Sequence, residues 1–421
     1  MRDIFAFRCG VTKHGLRVFV KSMRIDPPQV SAGLVMFAGV RQDPPEMPGL
    51  SHAVEHAMGI AGSDSGDVSK ARRYAIERGF LPEDLGSTGA ESTWWMVRGV
   101  SLRLREMLRF LAVYARVFPK HLSITHLQEI HQRELAEVGP RTTPVHRAIL
   151  RAAFPEGHPV LRVETSEGIN RWTAGAIKDH FVRYHTLPNM ALVVAGSTTF
   201  SEVMRAAAEA FPKLPHDGDA KRTIVAPMAA SPIRCGQYVV RPSDVLGLPS
   251  NDDEPAGECS VLRMRATPLT LMHEQRAMLC VNVAASACFA TLREKLGIVY
   301  AVRPTIETFR DLRFCRLGVD AAPDHFVACA EAFKQIPELV KRRGRKWFEV
   351  ERDELLLGMR LKQVQLSGLV LATLIDLSIF GCVQTQEELV KVIETTTWAD
   401  AVAGVEELFA PDRSLMVSIV P

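Results

Sequence analysis

Apolar residues gather in short runs at 16–23 (LRVFVKSM) and 30–40 (VSAGLVMFAGV), which predicts two strands. The turn RQDPPEMPG that follows stops the second, because proline has no N–H to give a ladder. A helix is expected from Ser51, with Ser51 as its N-cap and Glu55 in its first turns. Helical spacing returns at SKARRYAIERG (69–79), where Gly79 is the expected C-terminal stop. STWWMVRGV (92–100) reads as a strand, 102–116, 123–138 and 173–185 as helices, and NMALVVAG (189–196) as another strand.

Residues 212–258 are dense in Pro, Gly, Asp and Ser and read as a connection, interrupted by one strand, QYVVR (237–241). Beyond it the order repeats. A helical run at 273–297 precedes strand-like IVYAVRPTIE and LRFCRLGVD, long helices fill 323–342 and 345–380, and the chain closes on PDRSLMVSIV. That last segment mirrors PNMALVVAG (188–196), so an internal duplication is expected. The boundaries expected are 1–211 for an N-terminal domain, 212–236 for a linker and 237–421 for a C-terminal domain.

Composition narrows the class. With 421 residues, 47% hydrophobic and 24% charged, the chain suits two globular domains rather than one core. Its net charge of +3 comes without a dense basic block, so no nucleic-acid partner is expected. No CxxC pair occurs among the eight cysteines, and the seven beyond residue 230 are expected to be core residues of a reducing compartment. The amino terminus has no secretory or transit pattern, and SGLVLATLIDLSIFGCV (367–383) is too short for a span and carries Asp376. A cytoplasmic protein with no membrane partner is the expectation.

The chemistry lies in PGLSHAVEHAM (48–58). Residues four apart share a helical face, so His52 and His56 project side by side with Glu55 next to them. Two neutral imidazoles so spaced can bind one Zn²⁺, and a carboxylate beside them can take a proton from water. The order His-x-x-Glu-His inverts the commoner zinc hydrolase motif. Two partly buried histidines beside a surface glutamate would give the same short pattern, and the pattern alone does not separate the two.

The flanking sequence does separate them. AGVRQDPPEMPGLSHAVEHAMG resembles the hallmark segment of the M16 metallopeptidases, the pitrilysin, insulinase and mitochondrial processing peptidase family. HPVLRVETSEGINRWTAGAIKDHFVRYHTLPNMALVVAG (158–196) resembles the end of that family's first domain, and ATLREKLGIVYAV (290–302) a segment of its second. The resemblance implies an α+β fold of two duplicated domains, each a mostly antiparallel sheet packed with helices. It implies Zn²⁺ held by His52, His56 and a later glutamate, with Glu55 as general base. Arg293 and Tyr300 match residues that hold the substrate. For the later glutamate, LAEV in THLQEIHQRELAEVG points to Glu137, with Glu129 as an outer partner of the site; Glu134, or no third carboxylate, is the alternative. One departure is Leu85-Gly86 where the family's substrate-pairing edge strand carries Asn-Ala.

The function so implied is a zinc endopeptidase or processing peptidase that acts on extended peptides. Because the larger single-chain members of the family are about twice this size, the resemblance implies a homodimer, or a heterodimer with a related subunit. The alternative is a non-catalytic scaffold or regulatory subunit of the same family, paired with an active partner.

Overall fold

The computed structural model describes residues 7–61, 68–116, 118–119, 121–138, 149–213, 236–240, 257–265, 271–362, 365–409 and 415–419. Most of the expected 212–236 linker lies outside the described residues. The fold is α+β, and the chain forms two compact units that are not continuous in sequence. One comprises 1–136, 162–226 and 361–386; the other comprises 137–161, 227–360 and 387–421.

The first unit runs β1 (Arg8–Val11), β2 (Arg17–Ser22), β3 (Gln29–Met36), α1 (Leu50–Ala61), α2 (Val68–Glu77), β4 (Phe80–Thr88) and β5 (Thr93–Val100). It continues with α3 (Leu104–Arg116), α4 (Ile124–Val138), α5 (Ser166–Asn170), α6 (Ala174–Tyr184), β6 (Met190–Gly196) and α7 (Phe200–Ala210). Its six strands are ordered β1-β2-β6-β3-β5-β4, with every neighbouring pair antiparallel except β2 and β6. Both faces are covered, which is why β6 is apolar throughout and β3 is buried continuously from Val30 to Met36 instead of alternating. Val30, Ala32, Leu34 and Met36 pack with Met107, Leu108 and Leu111 of α3 and Val203 and Ala207 of α7. Val35, Phe37 and Val193 pack instead with Leu369, Val370, Leu374 and Leu377 of the late helix Leu366–Phe380. A segment from the end of the sequence thus completes the core of the unit that begins it.

The second unit holds β7 (Gly236–Val240), β8 (Gly257–Arg265), β9 (Arg303–Thr308), β10 (Arg313–Ala321) and β11 (Leu415–Ile419), ordered β7-β11-β8-β10-β9. Again one pair is parallel, β7 with β11, and the rest antiparallel. Strand for strand this is the first sheet without β1, the duplication that the matching terminal strands suggested.

Two sequence expectations need correction here. The helical run read as 273–297 is an α-helix over Leu271–Phe289 followed by a π-helical stretch over Ala290–Lys295. By length and composition His273–Lys295 would suffice to cross a membrane, with mean hydropathy 1.2, which the sequence reading passed over. In this fold it is a core helix: Leu279, Val281, Ala284 and Cys288 are fully buried. Cys280, Cys288 and Cys315 are core residues as expected, their thiols pushed up to about 12 by burial, whereas Cys382, expected in the core, is exposed.

Candidate metal centre

Helix α1 is amphipathic by necessity. Leu50, Ala53, Val54, Ala57 and Met58 recur on one face and are buried against Leu127 of α4, Ile169, Trp172, and Ile177 and Phe181 of α6. That fixes the rotation of α1 and turns His52 and His56 to the opposite, partly exposed face. The entry to α1 is fixed from outside the helix. Gly49 adopts φ +87°, a left-handed conformation that suits glycine, and a Cβ there would also strike Glu164 Cγ at 2.2 Å. Asp43 accepts hydrogen bonds from the N–H groups of Gly49 (2.7 Å) and Ser51 (2.9 Å). The cap therefore comes from Asp43, and the expected cap, Ser51, lies inside the first turn. The Ser51 hydroxyl lies 2.6 Å from Asp43 Oδ1 and 3.0 Å from His180 Nε2.

The side chains converge as follows. His56 Nε2 is 3.1 Å from His52 Nε2. Glu134 Oε2, from α4, lies 3.4 Å from the first and 3.7 Å from the second. Ligands of a tetrahedral ion at about 2.0–2.1 Å stand roughly 3.3 Å apart, so these three donors suit a single divalent metal such as zinc. Glu55 Oε2 is 3.9 Å from His52 Nε2 and accepts a hydrogen bond from the Thr88 hydroxyl at 3.0 Å. Its carboxylate lies against Gly86 of β4, where an added Cβ would come within 2.3 Å of Glu55 Oε1.

Two further residues join the cluster, and the sequence reading assigned neither. His131 of α4 is fully buried, and its ring centroid lies 4.4 Å from that of His52 and 4.5 Å from that of His56. One nitrogen from each of the three rings falls within 4.8 Å of the others. Glu164 reaches His52 Nδ1 with Oε2 at 3.2 Å and His131 Nδ1 with Oε1 at 2.9 Å. Two positions before it, Arg162 donates to the carbonyls of Arg41 and Asp43, so one short segment braces both the loop before α1 and the histidines on it.

Charge divides the pair on α1. Burial works against a proton on His52, but the hydrogen bond to Glu164 and the charges of Glu164, Glu55 and Glu134 outweigh it and raise the imidazole to about 9. Burial, then the like charges of His52 and His131, lower His56 to about 3. Burial alone would raise Glu164, yet contacts with His131 and His52 hold it at about 2.

The remaining expected site residues are placed as follows. Glu129 is exposed: at roughly 100° per residue it sits roughly 160° around α4 from His131. The outer carboxylate contacting the histidines is Glu164. Glu137 belongs to α4, but its side chain lies outside the described residues. Arg293 and Tyr300 belong to the second unit. The Arg293 guanidinium lies 5.4 Å from the Tyr300 ring centre and donates to the Val299 carbonyl at 3.4 Å; Tyr300 is 82% exposed.

Residues 171–352 match the family described as Peptidase M16 inactive domain. Over those residues the chain carries a segment of the M16 peptidase family. The peptidase M16 inactive domain from Pseudomonas fluorescens shares the fold at TM-score 0.78 and 14% identity, over 99% of this chain and 98% of that one. The periplasmic protease PqqL from Escherichia coli matches at TM-score 0.76 and 14% identity, over 98% of this chain but 47% of that one. A chain of Complex III2 from Candida albicans matches at TM-score 0.74 and 11% identity, over 98% and 95% of the two chains. Among curated protein sequences none matches.

Proposed function

We propose that this chain is a zinc-dependent peptidase that cleaves extended peptides, with Glu55 as general base. The observation that carries the proposal is the spacing of His52 Nε2, His56 Nε2 and Glu134 Oε2, 3.1 to 3.7 Å apart, with the Glu55 carboxylate beside them. Glu134 takes the role of third ligand that the sequence divided between Glu137 and Glu134. Zn²⁺, when bound, supplies Lewis acidity toward the scissile carbonyl and a lowered pKa for the attacking water.

The chain's own residues supply the rest. Among the described residues β4 is an edge strand that pairs with β5, and an extended peptide would add beside it as a further strand. Glu55 lies directly beneath Gly86 on that strand, where the peptide backbone would pass. Held by Thr88, Glu55 takes the proton of the attacking water and hands it to the leaving amine. Arg293 and Tyr300 are assigned to holding the substrate, by their match to the family's residues in that role.

The scaffold reading is favoured by one observation, the word "inactive" in the description of the matching family. That match begins at residue 171, beyond α1, α4 and Glu164, so it does not bear on the centre itself. Cleavage of a fluorogenic peptide by the zinc-loaded chain decides between the two. Activity should appear and should fall by at least about 10²-fold in Glu55→Gln with zinc retained. Zinc uptake with no cleavage of any peptide in a diverse library would favour the scaffold.

A further inference from the structure

We infer that His131 is itself a metal ligand, so that the centre comprises three imidazoles with Glu134, and that Glu164 is the shared brace orienting two of those rings. This rests on the metal-binding reading above and goes beyond its ligand set.

A fully buried imidazole normally finds partners for both nitrogens, because stripping water from a polar atom without replacing it is costly. His131 is 0% exposed, and neither of its ring nitrogens makes a hydrogen bond to another described residue, although Glu164 Oε1 stands 2.9 Å from Nδ1. Its ring is fixed in place: Trp172 packs edge-on at 4.8 Å with an interplanar angle of 89°, and Glu164 stands at Nδ1. The three ring centroids form a nearly equilateral triangle with sides of 4.4, 4.5 and 4.7 Å. An ion among them would give the orphaned nitrogen its partner.

The position of Glu164 explains how the donors are presented. Each of its oxygens meets the Nδ1 of a different histidine, His52 with Oε2 and His131 with Oε1. A carboxylate at Nδ1 holds the N–H there and leaves the Nε2 lone pair for the metal, the usual outer partner of a metal-bound histidine. One anion does this for two rings that come from different helices. Leu127, His131 and Glu134 fall within roughly 60° of arc on α4, so the residue that packs α1 and the two donors share a single face. Three imidazoles and one carboxylate suit Zn²⁺ or Co²⁺ over the oxygen-preferring Mg²⁺ and Ca²⁺.

X-ray absorption at the zinc edge of the loaded full-length chain counts imidazoles without any substitution. Three per zinc are expected. Two per zinc would overturn the inference and leave the metal-binding reading intact; failure of the wild-type chain to take up zinc would overturn both. In parallel, Co²⁺ titration followed by its visible absorption should show at least about tenfold weaker binding for His131→Gln, with Glu134→Gln still binding. Far-UV circular dichroism establishes that each variant is folded. Unchanged Co²⁺ affinity in folded His131→Gln would likewise overturn the assignment.

Discussion

His52 and His56 stand one helical turn apart, yet their surroundings favour a proton on the first and disfavour one on the second, which predicts a defined pH response. In the metal-free protein His52, raised to about 9, keeps its proton at neutral pH, whereas His56, lowered to about 3, has none to lose. Zinc must displace the His52 proton to bind. Zinc affinity should therefore rise by about tenfold per pH unit as pH approaches 9 from below, and flatten above it. Zinc calorimetry at pH 6, 7 and 8 tests this; an affinity independent of pH over that range would mean His52 is already neutral. At this scale the local part of the site was legible: His52, Glu55 and His56 lie in one turn and a half of helix, and spacing alone puts them together. His131 and Glu164 were not, because they arrive from a different helix and from an extended segment whose register only packing determines. A signal was nonetheless present, since HQRE (131–134) repeats the His-x-x-Glu spacing of HAVE (52–55). Between Glu134 and Glu137 the sequence motif favoured the latter, yet it is Glu134 whose carboxylate meets both histidines.

Helix α1 carries its ligands only as accurately as its first turn is held. Burial pushes the Asp43 carboxyl up to about 7 against the hydrogen bonds from Ser51 and Gly49. A partly neutral acceptor in that position should tolerate an amide. We expect Asp43→Ala to cost about 1–3 kcal/mol of stability and Asp43→Asn clearly less, as read by thermal melting of the two variants. Equal losses would show that charge, rather than capping, is what Asp43 contributes. The strand β4 was supplied by the family resemblance, which put an edge strand at Leu85-Gly86, and not by its local sequence. Phe-Leu-Pro-Glu-Asp-Leu-Gly-Ser-Thr contains a proline and a glycine, and 80–88 reads more readily as a loop. On an edge, where only β5 need be paired, proline is tolerated and the register slips at Pro82/Asp84 and again before Ser87. β1 and β8 were missed: β1 is only four residues long, and β8 starts inside the stretch read as a connection. The stretch 345–380 read as one helix, whereas helices over Arg345–Lys362 and Leu366–Phe380 belong largely to different units.

At the scale of the whole chain, the duplication visible in two similar terminal strands becomes a shared strand order with one parallel pair in each sheet. What could not be foreseen is that Leu366–Phe380 completes the first unit's core, because its apolar sequence says only that it is buried and not against what. The proposed metal centre lies wholly within that first unit, where α1, α4 and the segment at Glu164 meet. The most direct measurement is elemental analysis of the full-length chain after equilibration with zinc and exhaustive dialysis. We predict about one zinc per wild-type chain and none in the His52→Ala/His56→Ala double variant. A folded wild-type chain that retains no zinc, or a double variant that retains as much as wild type, would contradict the account.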